Sequence, residues 1–560
     1  MGTMSIPLLS LLVLLLGSRP PDFFPVPFEE LVTPALLLMT APVGVGQTDG
    51  ESEYAARFYD LRRNVPAWVQ EYRLTPDGAE LLAMLRASRL DGLDPGAYIS
   101  NGLEEQLARY FLPSSAGRAE RARDAARLDH SLTLSFLRYA RHRAVGRLNA
   151  RGLEPEWPES SLPVDLVDRV ATGAPRAAAE SVEAANPYAR RLLRALRSYD
   201  RIARAGGWPR IPDGEDLSAG STGTRVTLVR SRLGVPATGP DTEVFDAGLR
   251  DAVRAFQKRH GLASTGRVDR FTLAALNVPV EDRIRQIGVN LERARWFPAE
   301  FGPRYILVNI PEAVLRVIEG DSVILRMRAV LGKVSRQTPM LADNVTSLVL
   351  NPSWNLPPVV IAEDVLASRS GASAFLKEKN ITVFSGWGTD AREVDPDSIR
   401  WDRVTLEAMP YRLRMEPGPR NALGRVKFLF PNDEHIYIHD SPQRGLFRKD
   451  HRFFSSGCVR VEGARDLATY LLRESSRWTE ERVEAAVHSG EETSIALKNP
   501  VPVYLVYLTA WVGEEGEVHF RPDPYGRDAL MAAVAEGDRQ APVPASGDGV
   551  AEVRGILAPR

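Results

Sequence analysis

The one cysteine of the sequence, Cys458, follows Ser-Ser-Gly and is the clearest candidate nucleophile. A thiol attacks a carbonyl only after a base has taken its proton, and histidine is a common base for this step. His439 lies nineteen residues upstream. A lone cysteine is usually a small buried hydrophobe. The serines, glycine and arginine around Cys458 do not suit an apolar pocket, so the pattern favours a reactive thiol.

The histidine belongs to an alternating stretch, His-Ile-Tyr-Ile-His, which predicts a β-strand. Alternation sends the isoleucines to one face and His435, Tyr437 and His439 to the other, where they line a cleft. We take His439 as the general acid/base and His435 as a structural or supporting histidine. On a strand the two imidazoles are about 13 Å apart, too far for one metal ion. His451 lies among basic residues and is expected on a solvated loop.

The segment around the cysteine predicts a tight turn followed by a strand. Gly457 permits backbone angles that other residues resist, and the N–H groups of Gly457 and Cys458 are natural donors to a developing oxyanion. In the following Val-Arg-Val, alternation places Arg460 on the side of Cys458, where its charge favours the thiolate and can hold a substrate carboxylate. We assign Arg460, Tyr437 and Ser456 to substrate binding and expect no metal.

Together these residues resemble the signature of the L,D-transpeptidase catalytic domain. That family has a histidine, a gap, and then Ser/Thr-x-Gly-Cys-hydrophobic-Arg, which His439 and the run from Ser455 to Arg460 match. The common form has a histidine two residues before the cysteine. Ser456 stands there instead, as it often does in the long, membrane-associated branch of the family. The resemblance covers most of the chain after Tyr54 and is strongest after Arg283. Further matching segments are Asn351–Pro357, Asn421–Phe428 and Trp511–Asp528.

The resemblance implies a wall-modifying acyl transferase. Its donor is expected to be a peptidoglycan tetrapeptide stem, cut after diaminopimelate with release of D-alanine through an acyl-enzyme on Cys458. The acceptor is expected to be the side-chain amine of a neighbouring diaminopimelate, so that the product is a cross-link in cell wall biogenesis and cell shape. Carbapenems are expected to acylate the same thiol. No metal or organic cofactor is called for.

Two alternatives stay open. The first keeps the acyl-enzyme but uses water or a lipoprotein lysine as acceptor. The second is a non-catalytic wall-binding scaffold built on the helical unit from Gly220 to Asn277. An unrelated cysteine protease is disfavoured, because the cysteine follows the histidine and no familiar protease motif surrounds it.

The length and composition of the chain limit the class of protein to which it can belong. A chain of 560 residues exceeds a single core, so about two to four domains are expected. The net charge of −1 gives no electrostatic case for nucleic acid. One cysteine excludes an internal disulfide. The predicted fold class is multidomain α+β, with a helical scaffold, a small three-helix binding domain and a mostly-β catalytic domain.

The N-terminal region predicts export. An apolar run from Ile6 to Leu16 is long enough for the core of a signal peptide and short for a membrane span. A second apolar stretch, Leu31 to Val45, is interrupted by Pro34 and Pro42. Either stretch can serve as the signal, and the expected location is the periplasm or cell envelope. A cleaved signal and a retained N-terminal anchor both stay open, and an anchor is the only membrane contact expected.

The expected domains follow the chain in order. Residues 1–50 are the signal or leader region and residues 51–215 a helical scaffold, which resembles that of the long L,D-transpeptidases. Residues 220–278 resemble a peptidoglycan-binding domain, and residues 279–530 are the catalytic domain. Within it, the strand rhythm stops at about 355–423, a capping insertion that would exclude water from the site. Residues 538–560 are expected to be a disordered tail.

Overall fold

The computed structural model describes residues 28–40, 50–70, 73–112, 117–159, 162–236, 243–406 and 408–536. The first apolar run and the expected tail lie outside the described residues. The chain divides into two compact units. Unit 1 contains residues 1–148, 160–206 and 291–299, and unit 2 contains residues 149–159, 207–290 and 300–560. The fold is multidomain α+β, as predicted.

Unit 1 is helical and is organised around a buried carboxylate. Asp129 lies midway along the long helix Arg118–Val145 and accepts hydrogen bonds from the N–H of Trp68 at 2.7 Å and the hydroxyl of Tyr59 at 2.6 Å. The described helices are Phe28–Thr40, Gly50–Leu61, Pro76–Arg86, Asn101–Phe111, Arg118–Val145, Leu166–Thr172, Pro175–Ser181 and Pro187–Arg204. A two-stranded hairpin joins β1 (Val69–Gln70) to β2 (Arg73–Leu74). Hydrogen bonds to one carboxylate therefore tie two chain segments to the central helix.

The second apolar stretch of the leader forms part of this core. Phe28–Thr40 is helical despite Pro34, and Val32 and Leu36 are fully buried in the hydrophobic cluster of unit 1. Packing against unit 1 therefore accounts for the apolar residues of this helix. The assignment of residues 1–50 to a signal or leader region stays a prediction.

Unit 2 begins with the three helices that the sequence predicts. They are Thr224–Leu233, Ala247–Arg259 and Arg270–Leu276. Gly234 ends the first helix with a left-handed φ of 64°, and the side chains of Asp246 and Asp269 cap the other two. Val226 and Phe256 lie in their shared core. The helix Val280–Arg295 follows, with residues up to Asn290 in this unit.

A closed ring of strands forms the centre of unit 2. The strands of the ring and its extension are β3 (Arg304–Asn309), β4 (Val314–Glu319), β5 (Ser322–Gly332), β6 (Leu341–Leu350), β11 (Val426–Leu429), β12 (Ile438–His439), β13 (Phe453–Ser455), β14 (Val459–Val461) and β15 (Thr493–Val506). The order around the ring is β5, β14, β12, β11, β6, β15, β3 and β4, and it closes because β4 also pairs with β5. β13 pairs with the end of β5. Most neighbours in the ring are antiparallel, but two pairs run parallel: β12 with β14, and β15 with β3.

An insertion with its own core separates β6 from β11. It contains β7 (Trp354–Asn355), β8 (Thr382–Phe384), β9 (Glu393–Val394) and β10 (Arg412–Met415), in the sheet order β7, β10, β8, β9. Its helices are Pro358–Val360, the wider helical turn Ile361–Leu366 and Ala372–Glu378. Val365, Leu376 and Val383 are buried in its hydrophobic cluster. Short strands are therefore present in a region where the sequence predicts that the alternation typical of strands stops.

The remaining helices of unit 2 are Ala150–Leu153, Ala464–Leu472, Glu480–Ser489 and Arg527–Glu536. Residues 502–506 end β15 in the ring, and a separate hairpin joins β16 (Ala510–Val512) to β17 (Val518–Phe520). Among the described residues, no helix combines the length and apolar character needed to cross a membrane.

Candidate active site

The turn that carries Cys458 is fixed by hydrogen bonds from several directions. The Ser455 hydroxyl donates to the Cys458 carbonyl at 2.6 Å and accepts from the Gly457 N–H at 3.3 Å. Thr338 donates from its hydroxyl to the Gly457 carbonyl at 2.7 Å. Gly457 has a φ of 111°, and a Cβ on it would lie 3.2 Å from a methyl carbon of Ile436. Glycine is therefore required there by backbone angle as well as by space.

The loop before β6, which contains Thr338, is held in place by hydrogen bonds from Tyr525 and Arg527. The Tyr525 hydroxyl donates to the Gly332 carbonyl at 2.6 Å, and Arg527 donates to the Thr338 carbonyl at 3.1 Å and to Gln337. Arg527 also forms an ion pair with Glu154 at 2.9 Å. The predicted family segment Trp511–Asp528 thus includes residues that support the turn indirectly.

The Cys458 thiol is partly exposed and is surrounded by polar groups. Its Sγ lies 3.9 Å from the backbone carbonyl of His435, to which it donates. The Tyr437 side chain interacts electrostatically with the same thiol, and the Tyr437 carbonyl accepts the N–H of Val459 at 3.0 Å. Burial raises the pKa of Cys458, while Tyr437, Lys427 and then Arg460 act in the opposite direction. At rest Cys458 is therefore a neutral thiol, and these three neighbours partly stabilise its thiolate form.

His439 lies on the strand next to the cysteine. β12 and β14 pair in parallel with His439 opposite Arg460, and the rings of Tyr437 and His439 are 5.6 Å apart. Burial, and then the charge of Arg460, lower the pKa of His439 to about 3, so the ring is neutral at neutral pH. Its Nδ1 is buried without a hydrogen-bond partner. No hydrogen bond joins the ring to the Cys458 thiol, which points to His435 instead.

The predicted strand from His435 to His439 is shorter than expected. Only Ile438 and His439 are strand residues, and His435 has a left-handed φ of 55°. The His435 ring is exposed, and it is the backbone carbonyl that meets the thiol. His435 is therefore not a buried supporting histidine. His451 is exposed and packs edge-on against Phe453, as expected for a residue on a loop.

Two further side chains reach the site that the sequence reasoning did not assign. The Trp354 indole N–H donates to the Tyr437 hydroxyl at 2.9 Å. The Lys427 ammonium lies 4.0 Å from the centroid of the Tyr437 ring, and Lys427 is opposite His439 in the β11–β12 pairing. Both residues lie in segments that resemble the family. The available signal for Lys427 was its position between two apolar strand residues, which places its charge on the face opposite theirs.

Arg460 and Ser456 are already engaged by protein groups. Arg460 donates to the Gln443 side chain at 2.9 Å, and Cys458 and Tyr437 both interact with its charge. The Ser456 hydroxyl accepts a hydrogen bond from Arg336 at 2.8 Å. A role for Arg460 and Ser456 in substrate binding stays a prediction. The contact of Ser456 indicates in addition that it holds the cysteine turn to Arg336.

Arg336 connects the cysteine turn to the insertion. Its side chain is only 4% exposed, and it forms ion pairs with Glu363 and with Asp364, the latter at 2.9 Å. Both carboxylates belong to the helical turn Ile361–Leu366. One guanidinium therefore contacts the insertion on one side and Ser456 on the other.

The ends of β11 and β12 are fixed by a buried aspartate. The Asp440 carboxylate accepts the N–H of Arg425 at 2.9 Å and forms an ion pair with Arg444 at 2.8 Å. Gly424 has a left-handed φ of 64°, and a Cβ on it would lie 2.4 Å from the same carboxylate. Asn421 accepts the N–H of Leu423 at 2.8 Å. These contacts set the backbone positions from which Lys427 and His439 project.

Sequence comparisons place three domains on the chain. Residues 303–502 match the family profile of the L,D-transpeptidase catalytic domain. Residues 53–196 match a scaffold domain, and residues 231–276 match a "Putative peptidoglycan binding domain". A Haemophilus influenzae protein named "Putative L,D-transpeptidase" is 38% identical over 244 residues, which are 44% of this chain and 48% of that protein. The chain thus spans about half the length of this curated relative.

Three solved structures give weaker similarities. An L,D-transpeptidase from Mycobacterium smegmatis is 10% identical with a TM-score of 0.19, over 36% of this chain and 58% of that one. An L,D-transpeptidase in complex with imipenem is 11% identical with a TM-score of 0.17, over 36% and 59% of the two chains. One from Xylanimonas cellulosilytica is 16% identical with a TM-score of 0.17, over 53% and 99%. Such scores do not establish a shared fold, so the assignment rests on the sequence matches. The chain carries an L,D-transpeptidase catalytic domain, together with a scaffold domain and a peptidoglycan-binding domain.

Proposed function

We propose that this protein cross-links peptidoglycan through an acyl-enzyme on Cys458. The observation that carries the proposal is the placement of this thiol on a glycine-containing turn, with a neutral His439 on β12, which runs parallel to the strand that follows the turn. The match of residues 303–502 to the L,D-transpeptidase catalytic domain supports the reaction class. The peptidoglycan-binding match supports the polymer as substrate.

In the first half-reaction, Cys458 attacks the carbonyl of the third residue of a tetrapeptide stem. Its proton passes to His439, which is neutral and so has a lone pair to accept it, although the burial that keeps the ring neutral also makes it a weak base. This transfer requires the thiol to turn from the His435 carbonyl towards the imidazole. The N–H of Cys458 stabilises the oxyanion, and the N–H of Gly457 joins it on leaving the Ser455 hydroxyl, to which it donates at 3.3 Å in this structure. Collapse of the tetrahedral intermediate breaks the amide bond, and His439 returns the proton to the departing D-alanine amine.

In the second half-reaction, an acceptor amine attacks the thioester. His439 takes a proton from that amine and returns it to the sulfur, so that the free thiol is regenerated and an amide replaces the thioester. With the side-chain amine of a second diaminopimelate as acceptor, the product is a cross-link between third residues of two stems. Carbapenems would acylate the same sulfur, because their strained amide presents a comparable carbonyl.

The insertion favours this acceptor over water. Trp354, in the first strand of the insertion, donates a hydrogen bond to the Tyr437 hydroxyl. The helical turn of the insertion holds Arg336 next to the cysteine turn. Closure of such an element around the thioester lowers access of water. Activity on peptidoglycan places the protein in the periplasm or envelope. The leader before Phe28 is the proposed route of export, either as a cleaved signal or as an anchor.

The proposal is tested by intact-mass analysis of the full chain after incubation with a defined tetrapeptide stem. The expected result is a mass increase equal to the tripeptide acyl group and release of one D-alanine, both abolished in Cys458→Ala. His439→Ala should slow acylation, while His451→Ala, a matched change on the exposed loop, should not. Cross-linking by Cys458→Ala would remove the nucleophile assignment.

The same incubation separates the acceptors. A stem with a free diaminopimelate amine should give a dimer as the main product. Tripeptide acid as the main product would indicate a carboxypeptidase, and transfer only to a lipoprotein-type lysine peptide would indicate protein attachment. Binding to sacculi without any acylation by a stem or a carbapenem would favour a wall-binding scaffold.

A further inference from the structure

Lys427 is a cation at the active site without a carboxylate of its own. Its strand neighbours Val426 and Phe428 are fully buried, and its ammonium lies 4.0 Å from the centroid of the Tyr437 ring. That tyrosine in turn interacts electrostatically with Cys458. Lys427 and Cys458 interact electrostatically, as do Lys427 and Glu492. Over the described part of the chain, however, no carboxylate oxygen lies within ion-pair distance of the Lys427 ammonium.

Arg336 and Arg444, two other cations around the site, are neutralised by carboxylates, whereas Arg460 donates to the neutral side chain of Gln443. Arg336 pairs with Glu363 and Asp364, and Arg444 pairs with Asp440. Glu492, the acid that interacts with Lys427, lies 3.8 Å from Arg414. A half-buried ammonium with no anion is costly, because it loses hydration without gaining a partner. The cation–π contact offsets only part of that cost. The site is therefore arranged to receive an anion.

A tetrapeptide stem supplies an anion at the required place. If the proposed function holds, the bond that breaks joins the third residue to a terminal residue that ends in a carboxylate. That carboxylate carbon is three bonds from the attacked carbonyl carbon, hence within about 4 Å of it. Any group that binds it must lie beside the nucleophile. Arg460 already donates to Gln443, whereas the Lys427 ammonium contacts the Tyr437 ring and interacts with Cys458 and with Glu492, which also lies 3.8 Å from Arg414.

We propose that Lys427 binds the terminal carboxylate of the donor stem and so selects stems whose scissile bond is one residue from a free carboxylate. This inference rests on the proposed function for the identity of the donor. It makes Lys427 a determinant of donor specificity. A stem extended by one residue, or one whose terminal carboxylate is an amide, offers no negative charge at this point.

The experiment compares a tetrapeptide stem with the same stem as its terminal carboxamide. Dissociation constants are measured by calorimetry on the full chain carrying Cys458→Ala, so that no turnover is needed. The same pair is measured with Lys427→Met added, with Lys427→Arg, and with Lys449→Met. The last is a matched control, since the Lys449 ammonium also lies over an aromatic ring, 4.9 Å from the centroid of Phe454.

The acid should bind about tenfold or more tightly than the amide, because an ionic hydrogen bond is lost in the amide. Lys427→Met should bring the ratio close to one by weakening the acid alone. Lys427→Arg should retain most of the preference for the acid over the amide, and Lys449→Met should retain all of it. An unchanged ratio in Lys427→Met overturns the proposal.

A second measurement separates this role from an effect on the sulfur. Iodoacetamide carries no charge, so its rate of reaction with Cys458 reports the thiolate and not the recognition of a carboxylate. A large fall in that rate in Lys427→Met, with the acid-to-amide binding ratio intact, would assign Lys427 to the thiolate and refute the proposal. Absence of acyl-enzyme in the unmodified chain, with Lys427-dependent binding preserved, would refute the proposed function and leave the carboxylate subsite standing.

Discussion

Replacing Arg336 by methionine tests whether the insertion is held to the cysteine turn by one buried charge. Methionine keeps most of the aliphatic stem and removes the guanidinium, which is 4% exposed and pairs with Glu363 and Asp364. Loss of one partner from a fully buried ion pair costs about 3–5 kcal/mol. Here the two carboxylates are 48% and 36% exposed and regain water when the arginine is gone. We therefore expect a smaller cost, about 2 kcal/mol.

The assay is native-state hydrogen exchange on the amides of Ile361–Leu366 and Ala372–Glu378, because a multidomain chain does not give one global unfolding free energy. A change of about 2 kcal/mol raises the exchange of these amides roughly 30-fold. The matched control is Lys333→Met. Lys333 meets the same Glu363 at 3.9 Å but is 40% exposed, so its removal should change exchange by less than about threefold.

Equal effects of Arg336→Met and Lys333→Met would refute this reasoning, since only the buried cation is expected to matter. Uniform acceleration across unit 2 would also refute it, because the effect should be confined to the insertion and to the turn at Ser456. The double variant with Asp364→Asn provides a further check. Its cost should be less than the sum of the two single costs, because the asparagine has no charge to leave unpaired.

Three further predictions concern pH and backbone. Iodoacetamide should alkylate Cys458 faster as pH rises from about 6 to about 9, because the pKa of this thiol is raised and the rate follows the thiolate; a plateau near pH 6 would contradict it. The pKa of His439 falls from 6.5 to about 3 on folding, so the stability that the neutral ring contributes is complete above pH 6.5 and is lost as pH falls towards 3; His439→Gln should reduce the acid sensitivity of hydrogen exchange at β11 and β12 in that range by up to about 1.4 kcal/mol per pH unit. Gly424→Ala should destabilise the ring of strands by roughly 1–3 kcal/mol in native-state hydrogen exchange, since its Cβ meets the Asp440 carboxylate at a left-handed φ. Gly445→Ala, with open space around it, should cost less than about 1 kcal/mol, and equal exchange in the two variants would disprove the steric account.

Local signals in the sequence predicted local structure well. In the three-helix unit, Gly234 ends one helix because glycine accepts a left-handed φ. Asp269 begins another because its side chain accepts a backbone N–H of the first turn. The turn at Gly457 follows from the same logic. These features depend on a few neighbouring residues and on backbone sterics, which do not change with tertiary context.

Features that depend on distant pairing were not predictable in the same way. The sequences of β4 and β5 do not indicate that these strands close a ring, because closure depends on their register with strands far along the chain. The backbone turn at His435 was missed, because the alternating pattern hides a residue with positive φ. Lys427 was overlooked for a related reason: its role appears only when β11 is placed beside β12.

His439 lies on β12, and Cys458 lies in the turn just before β14, the neighbouring strand that runs in the same direction with Ile438 paired to Val459. Their separation is thus set by ladder geometry and by the hydrogen bonds that fix the two ends of the segment between them, at Asp440 and at Ser455. In the middle of that segment, Arg448 to His451 are exposed. A change of length confined to this exposed stretch would leave both ends, and with them the proposed base and nucleophile, in place.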